Sequence, residues 1–485
     1  MICLIIPPSP FLLDERIFTS LGILRVAACL ERAGQEVEVL DLSGIENYLE
    51  AVEDYCKTSD AKVFCLTATT PQMPSAAMIS RRITLCRKDA KLILGGPHPT
   101  LVNAAVKKGS ERATRAMKEL TDAFDAVVCG DGEKSIFTAL ASSGIIDADD
   151  PRTDFFLTNT TLNEMPFPAR HLIDLDSYHY SIDGERATSL ICQLGCPFGC
   201  GFCGGRASPM LRRVRTRTTE NVVSELRHLY ETYGYKGFML YDDELNVNPQ
   251  MIPMMDAITK LQEDLGVEFK LRGFIKSQLF TRDQSVAMFR AGFRWILTGF
   301  ESGSPRILQN IQKRATREEN SRCVEIARGA GLKVKALMSL GHPGESPETI
   351  EDTRRWLMEN RPDDFDVTII TPYPGSPYYD EAVQNDKGDW VYTYEKTGDK
   401  LYAKEVDYFQ TADYYKGDPE GGYQSYVWTA ALSSDMLVSG RDEMERSVRK
   451  ALGISYNAST PSVRFEHSMG QGLPEKILRR SLTKV

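Results

Sequence analysis

At 485 residues, with 42% hydrophobic and 26% charged residues, the chain has the makeup of a folded protein with room for two or three cores. A net charge of −9 speaks against a general nucleic-acid binder, which needs a basic face, so nucleic acid is not an expected partner. No run of about 18 apolar residues occurs, and Met1-Ile2-Cys3-Leu4-Ile5-Ile6 has no basic leader before Pro7-Pro8, so neither a membrane span nor a signal peptide is expected and the predicted location is cytoplasmic.

Through residue 145, short apolar runs alternate with amphipathic segments: Ile2 to Ile6, the helix-like Leu21 to Ala33, Glu36 to Leu40, Val63 to Leu66, the helix-like Ala76 to Cys86, Lys91 to Leu94 and Ala126 to Cys129. Strands alternating with helices predict an α/β domain with a doubly wound, Rossmann-like parallel sheet, whose ligand crevice lies at the carboxyl ends of the strands. The segments found there are Thr67-Ala68-Thr69-Thr70-Pro71-Gln72, Gly95-Gly96-Pro97-His98-Pro99-Thr100 and Gly130-Asp131-Gly132-Glu133. Each alone reads as a plain turn, but three at equivalent strand ends point to a ligand that backbone approaches closely. Cys3, Cys29, Cys56, Cys65, Cys86 and Cys129 lie mostly within apolar runs and read as core packing.

Residues 146–184, with the Pro166-Phe167-Pro168 kink, read as a connector. A second alternating series fills 185–380, with strand-like runs at Thr188 to Cys192, Gly237 to Tyr241, Val267 to Gly273, Trp295 to Phe300, Val334 to Leu340 and Val367 to Thr371. The helix-like segments between them open at cap residues such as Thr219 and Ser346 and stop at Gly234, Gly266, Gly292 or Gly331. Six strands predict a partial (β/α)6 barrel with its chemistry at the carboxyl ends of the strands. From 381 to 485 the regularity fails: the chain turns Tyr-rich and acidic, passes the loop-like Glu420-Gly421-Gly422-Tyr423, forms one last helix around Asp442 to Leu452, and ends in a basic tail. This region reads as a cover for the barrel mouth.

After the first barrel strand stands Cys192-Gln193-Leu194-Gly195-Cys196-Pro197-Phe198-Gly199-Cys200-Gly201-Phe202-Cys203-Gly204-Gly205. Eleven cysteines without an export signal are not a disulfide framework, and three in one glycine-rich loop suit an iron-sulfur cluster with one iron left open. A zinc site would need a fourth ligand, for which Cys192 is the one candidate, although a residue ending a strand packs more readily than it ligates. Acids follow the second strand, Tyr241-Asp242-Asp243-Glu244, and the fourth, Gly299-Phe300-Glu301-Ser302; both also suit helix capping. Gly341-His342-Pro343-Gly344-Glu345 follows the fifth strand, and His342, with no visible partner, reads as structural. Arg212, Arg213, Arg215 and Arg217 form a basic cluster that is either functional or a solvated helix entry.

Over roughly residues 185 to 380 the chain resembles the radical S-adenosylmethionine superfamily. The resemblance implies a 4Fe-4S cluster on Cys196, Cys200 and Cys203 that chelates S-adenosylmethionine and cleaves it to a 5′-deoxyadenosyl radical. It further implies Phe202 beside the adenine, Asp243 and Glu244 at the amino end, Glu301 and Ser302 at the cofactor, Gly341 and Gly344 on the adenine side, and Arg217 at the carboxylate.

The N-terminal strand ends resemble the cobalamin-binding domain that precedes many such barrels. That resemblance implies Thr67, Thr69, Gly95, Gly96, Gly130, Gly132 and Glu133 along the crevice, His98 at the nucleotide tail, and Gln72 or Met73 below the cobalt. No Asp-x-His-x-x-Gly occurs where the sequence reads Asp14-Glu15-Arg16-Ile17-Phe18, so no histidine is expected on the cobalt. Two radical-relevant cofactors in one chain imply a methylase acting on an unactivated carbon of a small molecule, served by an electron donor such as flavodoxin or ferredoxin. The alternatives are a non-methylating cyclisation, ring contraction or oxidation, a methylthiotransferase with a second cluster, or a cobalamin sensor with a vestigial barrel.

Overall fold

Two parallel sheets follow one another along the chain. In the computed structural model, which describes residues 1–9, 12, 14–415, 422–455 and 478–482, the first sheet contains β1 (Ile2–Ile6), β2 (Val37–Asp41), β3 (Val63–Thr67), β4 (Lys91–Gly95), β5 (Ala126–Gly130) and β6 (Gly144–Ala148). All pairs are parallel, in the order β2-β1-β3-β4-β5-β6. β1 and β5 are buried at every position, as continuous apolar strands covered on both faces must be. Helices Leu21–Arg32 and Gly132–Ala141 cover one face; Tyr48–Thr58, Met73–Cys86, Pro97–Lys107 and Glu111–Ala123 cover the other. The strand order reverses between β1 and β3, where a ligand crevice is expected to open. This is the doubly wound domain read from the sequence, with a sixth strand and several helices added.

In the second sheet, β7 (Ser181–Ile182) lies antiparallel on β8 (Glu185–Leu190). A short ribbon, β9 (Gln193–Leu194) against β10 (Arg215–Thr216), brackets the cysteine loop. β11 (Gly237–Leu240), β12 (Lys270–Phe274), β13 (Phe293–Glu301), β14 (Lys333–Leu340) and β15 (Asp364–Ile369) then continue from β8 in parallel and in chain order, giving the six-stranded partial barrel. Thr281, Thr316 and Ser346 cap their helices through side-chain oxygens, and Gly234 and Gly266 end theirs in the left-handed conformation. The cap of helix Thr219–Tyr233 is Thr218, whose hydroxyl accepts from Asn221 N, not Thr219.

The region after residue 381 departs most from expectation. β16 (Val383–Gln384), β17 (Trp390–Tyr394), β18 (Asp399–Ala403) and β19 (Val427–Thr429) form an antiparallel meander. The last helix spans Ser434–Leu452 and is clamped to β15 by Arg441 on Val367 O and by Arg449 on Asp364. Tyr379, Tyr408 and Tyr414 pack into the core beneath the first sheet, and Arg112 of that domain lies between the rings of Tyr379 and Trp390, 3.9 and 4.0 Å from their centres. Part of the tyrosine-rich segment therefore joins the domains. Glu420, Gly421 and most of the expected tail lie outside the described residues. Among those described, no helix is long and apolar enough to cross a membrane.

Candidate functional site

β8 stops at Leu190, so Cys192 falls just beyond it and turns into the barrel's apolar core, fully buried. It supplies no fourth ligand to the loop. Gly195 has φ +87°, and a Cβ there would sit 2.2 Å from Arg213 O, so only glycine makes the turn that launches Cys196. The loop is then pinned at four backbone points: Cys196 N donates to Leu211 O (2.9 Å), Gly201 N to Ile311 O (2.8 Å), Arg206 to Gly199 O (2.7 Å) and Arg212 to Pro197 O (2.9 Å). Cys200 is buried, Cys196 half-buried and Cys203 exposed.

Three thiols on a pinned loop fit the donor set of a cluster with one open iron. Burial pushes the Cys196 thiol up to about 12, so metal capture there displaces a proton. Among the described residues no three His, Cys, Asp or Glu gather tightly enough for a single ion. The fit to a cluster therefore rests on the donor set and its loop, not on preformed single-ion geometry.

The acids at the neighbouring strand ends differ in what already holds them. Asp242, after β11, is buried, and its Oδ1 accepts from Cys192 N (2.8 Å) and Gln193 N (2.5 Å), clamping the start of the cysteine loop. Burial raises its carboxyl to about 7 against the pull of those N–H groups. Asp243 is exposed. Half-buried Glu244 is likewise raised by burial to about 7, opposed by Lys313 and Lys276. Glu301, a left-handed residue at φ +65°, accepts from Lys313 Nζ and from Ser339 Oγ, both at 2.7 Å. Burial works against its charge, yet Lys313 holds the carboxyl below its usual range.

Ser339 has one proton and gives it to Glu301, so its oxygen must accept Nε2–H of His342 (2.8 Å), leaving Nδ1 to accept the Tyr378 hydroxyl (3.3 Å). Burial drops His342 to about 4, so the imidazole is neutral and its tautomer fixed by this chain. Its ring stands 5.4 Å from that of Phe202. Glu345 accepts from Gly341 N and Thr349 Oγ1, holding the turn in which Gly341 and Gly344 have φ +87° and +85°. A Cβ on Gly344 would lie 2.5 Å from Asp399 Oδ2, a movable side-chain end, so it is the left-handed backbone more than packing that favours glycine there.

At the carboxyl ends of the first sheet lies a cavity of about 300 Å³. Thr67, Thr69, Gln72, Gly95, Gly96, Gly130, Gly132 and Glu133 all line it, over a floor of Leu4, Ile93, Val128 and Ile136. An apolar floor with a polar, glycine-rich rim fits a heteroaromatic ligand. Ile191, Leu194, Met210 and Leu211 of the second domain form the facing wall.

Five expected positions have partners of their own. Arg217 is buried and bonded to Glu225, Asn221 and Ile191 O, so its guanidinium is already neutralised. Ser302, fully buried, meets Thr353 Oγ1 (3.0 Å) and caps Ser304 N, holding its own turn. His98 hydrogen-bonds Thr70 and lines a separate cavity with Arg112 and Tyr379. Met73 is fully buried in the sheet core, and Gln72, although it borders the crevice, is tied to Thr69 N and Pro7 O. Arg215, of the same basic cluster, pairs with Asp131. Sequence reasoning missed Lys313, which sits between the left-handed Gln312 and Arg314 in an otherwise ordinary turn.

A triad of thiols after the first strand of an open parallel barrel, with acids at later strand ends of which Glu301 is held ionised, and a ligand crevice in a preceding doubly wound domain, defines an enzyme with two adjoining cofactor sites. The radical SAM superfamily pattern matches residues 190–357, and the B12 binding domain matches residues 15–136. An uncharacterized methyltransferase of Pyrococcus horikoshii is 26% identical, covering 79% of this chain and 83% of its own. The hopanoid C-3 methylase of Methylococcus capsulatus is 25% identical over 76% and 70%. The radical S-adenosylmethionine methyltransferase TsrM of Kitasatospora setae, solved with cobalamin and a [4Fe-4S] cluster, shares the fold at TM-score 0.64 and 16% identity, over 93% of this chain and 88% of that one. The chain belongs to the radical S-adenosylmethionine enzymes that carry a B12-binding domain, and its cofactors are a 4Fe-4S cluster, S-adenosylmethionine and cobalamin.

Proposed function

We propose that this enzyme is a cobalamin-dependent radical methyltransferase that methylates an unactivated carbon of a small molecule. The observation that most supports this is the shared wall: Leu194, Met210 and Leu211 flank the cysteine loop and also line the B12 crevice, so the two cofactor sites adjoin. When bound, the cluster with S-adenosylmethionine supplies a hydrogen-abstracting radical, and cobalamin supplies a transferable methyl group.

In this reading Cys196, Cys200 and Cys203 bind iron, and Phe202 borders the adenine. Asp243 and Glu244 receive the ammonium, for which charge-assisted contacts are the strong ones. Glu301, kept ionised by Lys313 and oriented by Ser339, presents a fixed acceptor to the nucleoside. Gly341 and the turn to Gly344 keep side chains out of the same space. Thr67, Thr69, Gly95, Gly96, Gly130, Gly132 and Glu133 cradle cobalamin. Arg206 and Arg212, flanking the loop apex at Gly199, face an electron-donating protein such as flavodoxin or ferredoxin.

The test is anaerobic turnover with S-adenosylmethionine deuterated at the methyl group. The expected outcome is labelled product with matching S-adenosylhomocysteine and 5′-deoxyadenosine; 5′-deoxyadenosine with unlabelled product would overturn it. That second outcome would favour a non-methylating reaction, as in the anaerobic magnesium-protoporphyrin IX monomethyl ester cyclase of Rubrivivax gelatinosus, which is 24% identical over 75% of this chain and 66% of its own. A methylthiotransferase is disfavoured because Cys3, Cys65 and Cys129 lie inside strands, fully or almost fully buried.

A further inference from the structure

Two carboxylates of the first domain hold the segment that follows the cysteine loop. Asp149, just past β6, is fully buried, and its Oδ1 accepts from Ser208 Oγ and Met210 N, both at 2.7 Å. Asp131, just past β5, accepts from Leu157 N and from Arg215, whose other nitrogen donates to Met210 O at 2.9 Å. Residues 208–215 are thus fixed by two acids at the strand ends of the B12 domain. Leu211 of this segment accepts the bond from Cys196 N, and Arg213 O lies where a Cβ on Gly195 would be. The side chains of Met210 and Leu211 meanwhile line the crevice. One backbone segment touches a cluster cysteine on one side and the cobalamin site on the other.

We infer that Asp131 and Asp149 are positioning residues, which make the segment 208–215 a rigid strut through which the cluster and cobalamin strengthen one another's binding. The inference rests on the proposed identities of the two sites. A ligand packed against Met210 and Leu211 restricts the segment that carries Leu211 O, and an assembled cluster restricts it from the other side. Because the two carboxylates make the segment move as one body, whichever cofactor binds first restrains the whole of it and leaves the second less freedom to remove, whereas without Asp149 its two sides move independently. Such coupling is reciprocal, and a typical value is about 5- to 150-fold.

The experiment is a titration of hydroxocobalamin into the full chain, once with the cluster reconstituted and once after iron is chelated away. The expected result is at least about fivefold weaker binding without the cluster, and by reciprocity slower iron loss to a chelator when cobalamin is present. In Asp149→Ala the ratio should fall toward one. Asp149→Asn, which keeps Oδ1 and alters only an oxygen that has no partner, should retain it. Equal cobalamin affinity with and without the cluster in the wild-type chain overturns the inference whether or not the variants fold. Failure to bind cobalamin in either state overturns the functional reading as well, whereas coupling without methyl transfer overturns that reading alone.

Discussion

Replacing Glu225 with Gln removes one negative charge and almost no volume from a site where two arginines depend on it. Arg170 and Arg217 donate to its two oxygens at 2.8 and 2.5 Å, and all three side chains are at most 3% exposed. The same arginines donate to Ser189 O and Ile191 O, so the pair ties down the end of β8 shortly before Cys196. Removing one partner of a buried ion pair costs about 3–5 kcal/mol. At about 2–4 °C per kcal/mol for a domain of this size, the barrel's melting midpoint should fall by roughly 6–20 °C. Burial alone would raise the Glu225 carboxyl, but Arg170 and Arg217 bring it to about 2, below its ordinary value. Folding therefore favours the ionised form, and this contribution is complete above about pH 4.5 and disappears as pH falls toward 2. The gap in midpoint between wild type and Glu225→Gln, followed by calorimetry from pH 7 to 3, should narrow below about pH 4.5. A gap that is absent at pH 7, or widens in acid, would refute the assignment. If Arg217 served the cofactor instead, its variants would weaken S-adenosylmethionine binding and leave the melt unchanged.

Cys196→Ala, Cys200→Ala and Cys203→Ala should each lose the cluster's iron, about four per chain, whereas Cys192→Ala should keep it and lose about 0.5–3 kcal/mol of stability; iron analysis and melting separate the two. Gly96→Ala forces a Cβ within 2.6 Å of Thr67 Oγ1 at φ +99°, whereas a Cβ on Gly95 meets nothing closer than 3.9 Å. Cobalamin binding should therefore drop in the first variant and persist in the second. His342, lowered by burial to about 4, binds a proton more readily unfolded than folded, so its contribution to stability falls as pH drops from about 6.5 to 4. His342→Gln should lose that part of the pH dependence in chemical denaturation.

The parts of this architecture that repeat were readable from sequence, and the parts that depend on a distant partner were not. The apolar runs of β1, β3, β4 and β5, the small polar end after β3 and the glycine-rich ends after β4 and β5 are local signals, and all seven rim residues expected along the crevice line it. His98 and Met73 are buried away from the crevice because Pro97 and Met73 each begin a helix rather than continue a loop, which turns both side chains into packed interior. The pairing of Arg217 was not legible because Glu225 is eight residues away, beyond the spacings at which helical neighbours are recognised. The meander was hidden by its turns: Tyr392 and Tyr394 alternate with exposed Thr393, as a half-buried strand requires, but charged and glycine-bearing stretches break the pattern on both sides. His342 read as structural for want of a partner, and its partners come from β14 and from Tyr378, neither predictable from the turn itself.

The charges at the barrel mouth divide by what the fold has already asked of them. Asp242 and Glu345 are committed to backbone and hydroxyl donors, and burial holds both near 7, so neither is a dependable counter-ion. Glu301 stays ionised because Lys313 faces it, and Asp243 is exposed. Lys276 is a different case: it is 1% exposed, its ammonium donates to Lys313 O at 3.4 Å and lies 4.5 Å from the centre of the Phe198 ring within the cysteine loop, and burial with the nearby Lys313 charge lowers its pKa against the pull of Glu244 and Glu301. A buried ammonium is costly to keep charged, and an arriving anion offsets that cost. Asp243, whose carboxyl desolvation pushes up against the pull of Gly195 N, and Lys276 are thus the acid and the base near the thiols that can meet the two ends of a zwitterion. In the proposed reading that zwitterion is the amino-acid end of S-adenosylmethionine, and with Arg217 already paired to Glu225 it is Lys276 that is left to meet the carboxylate.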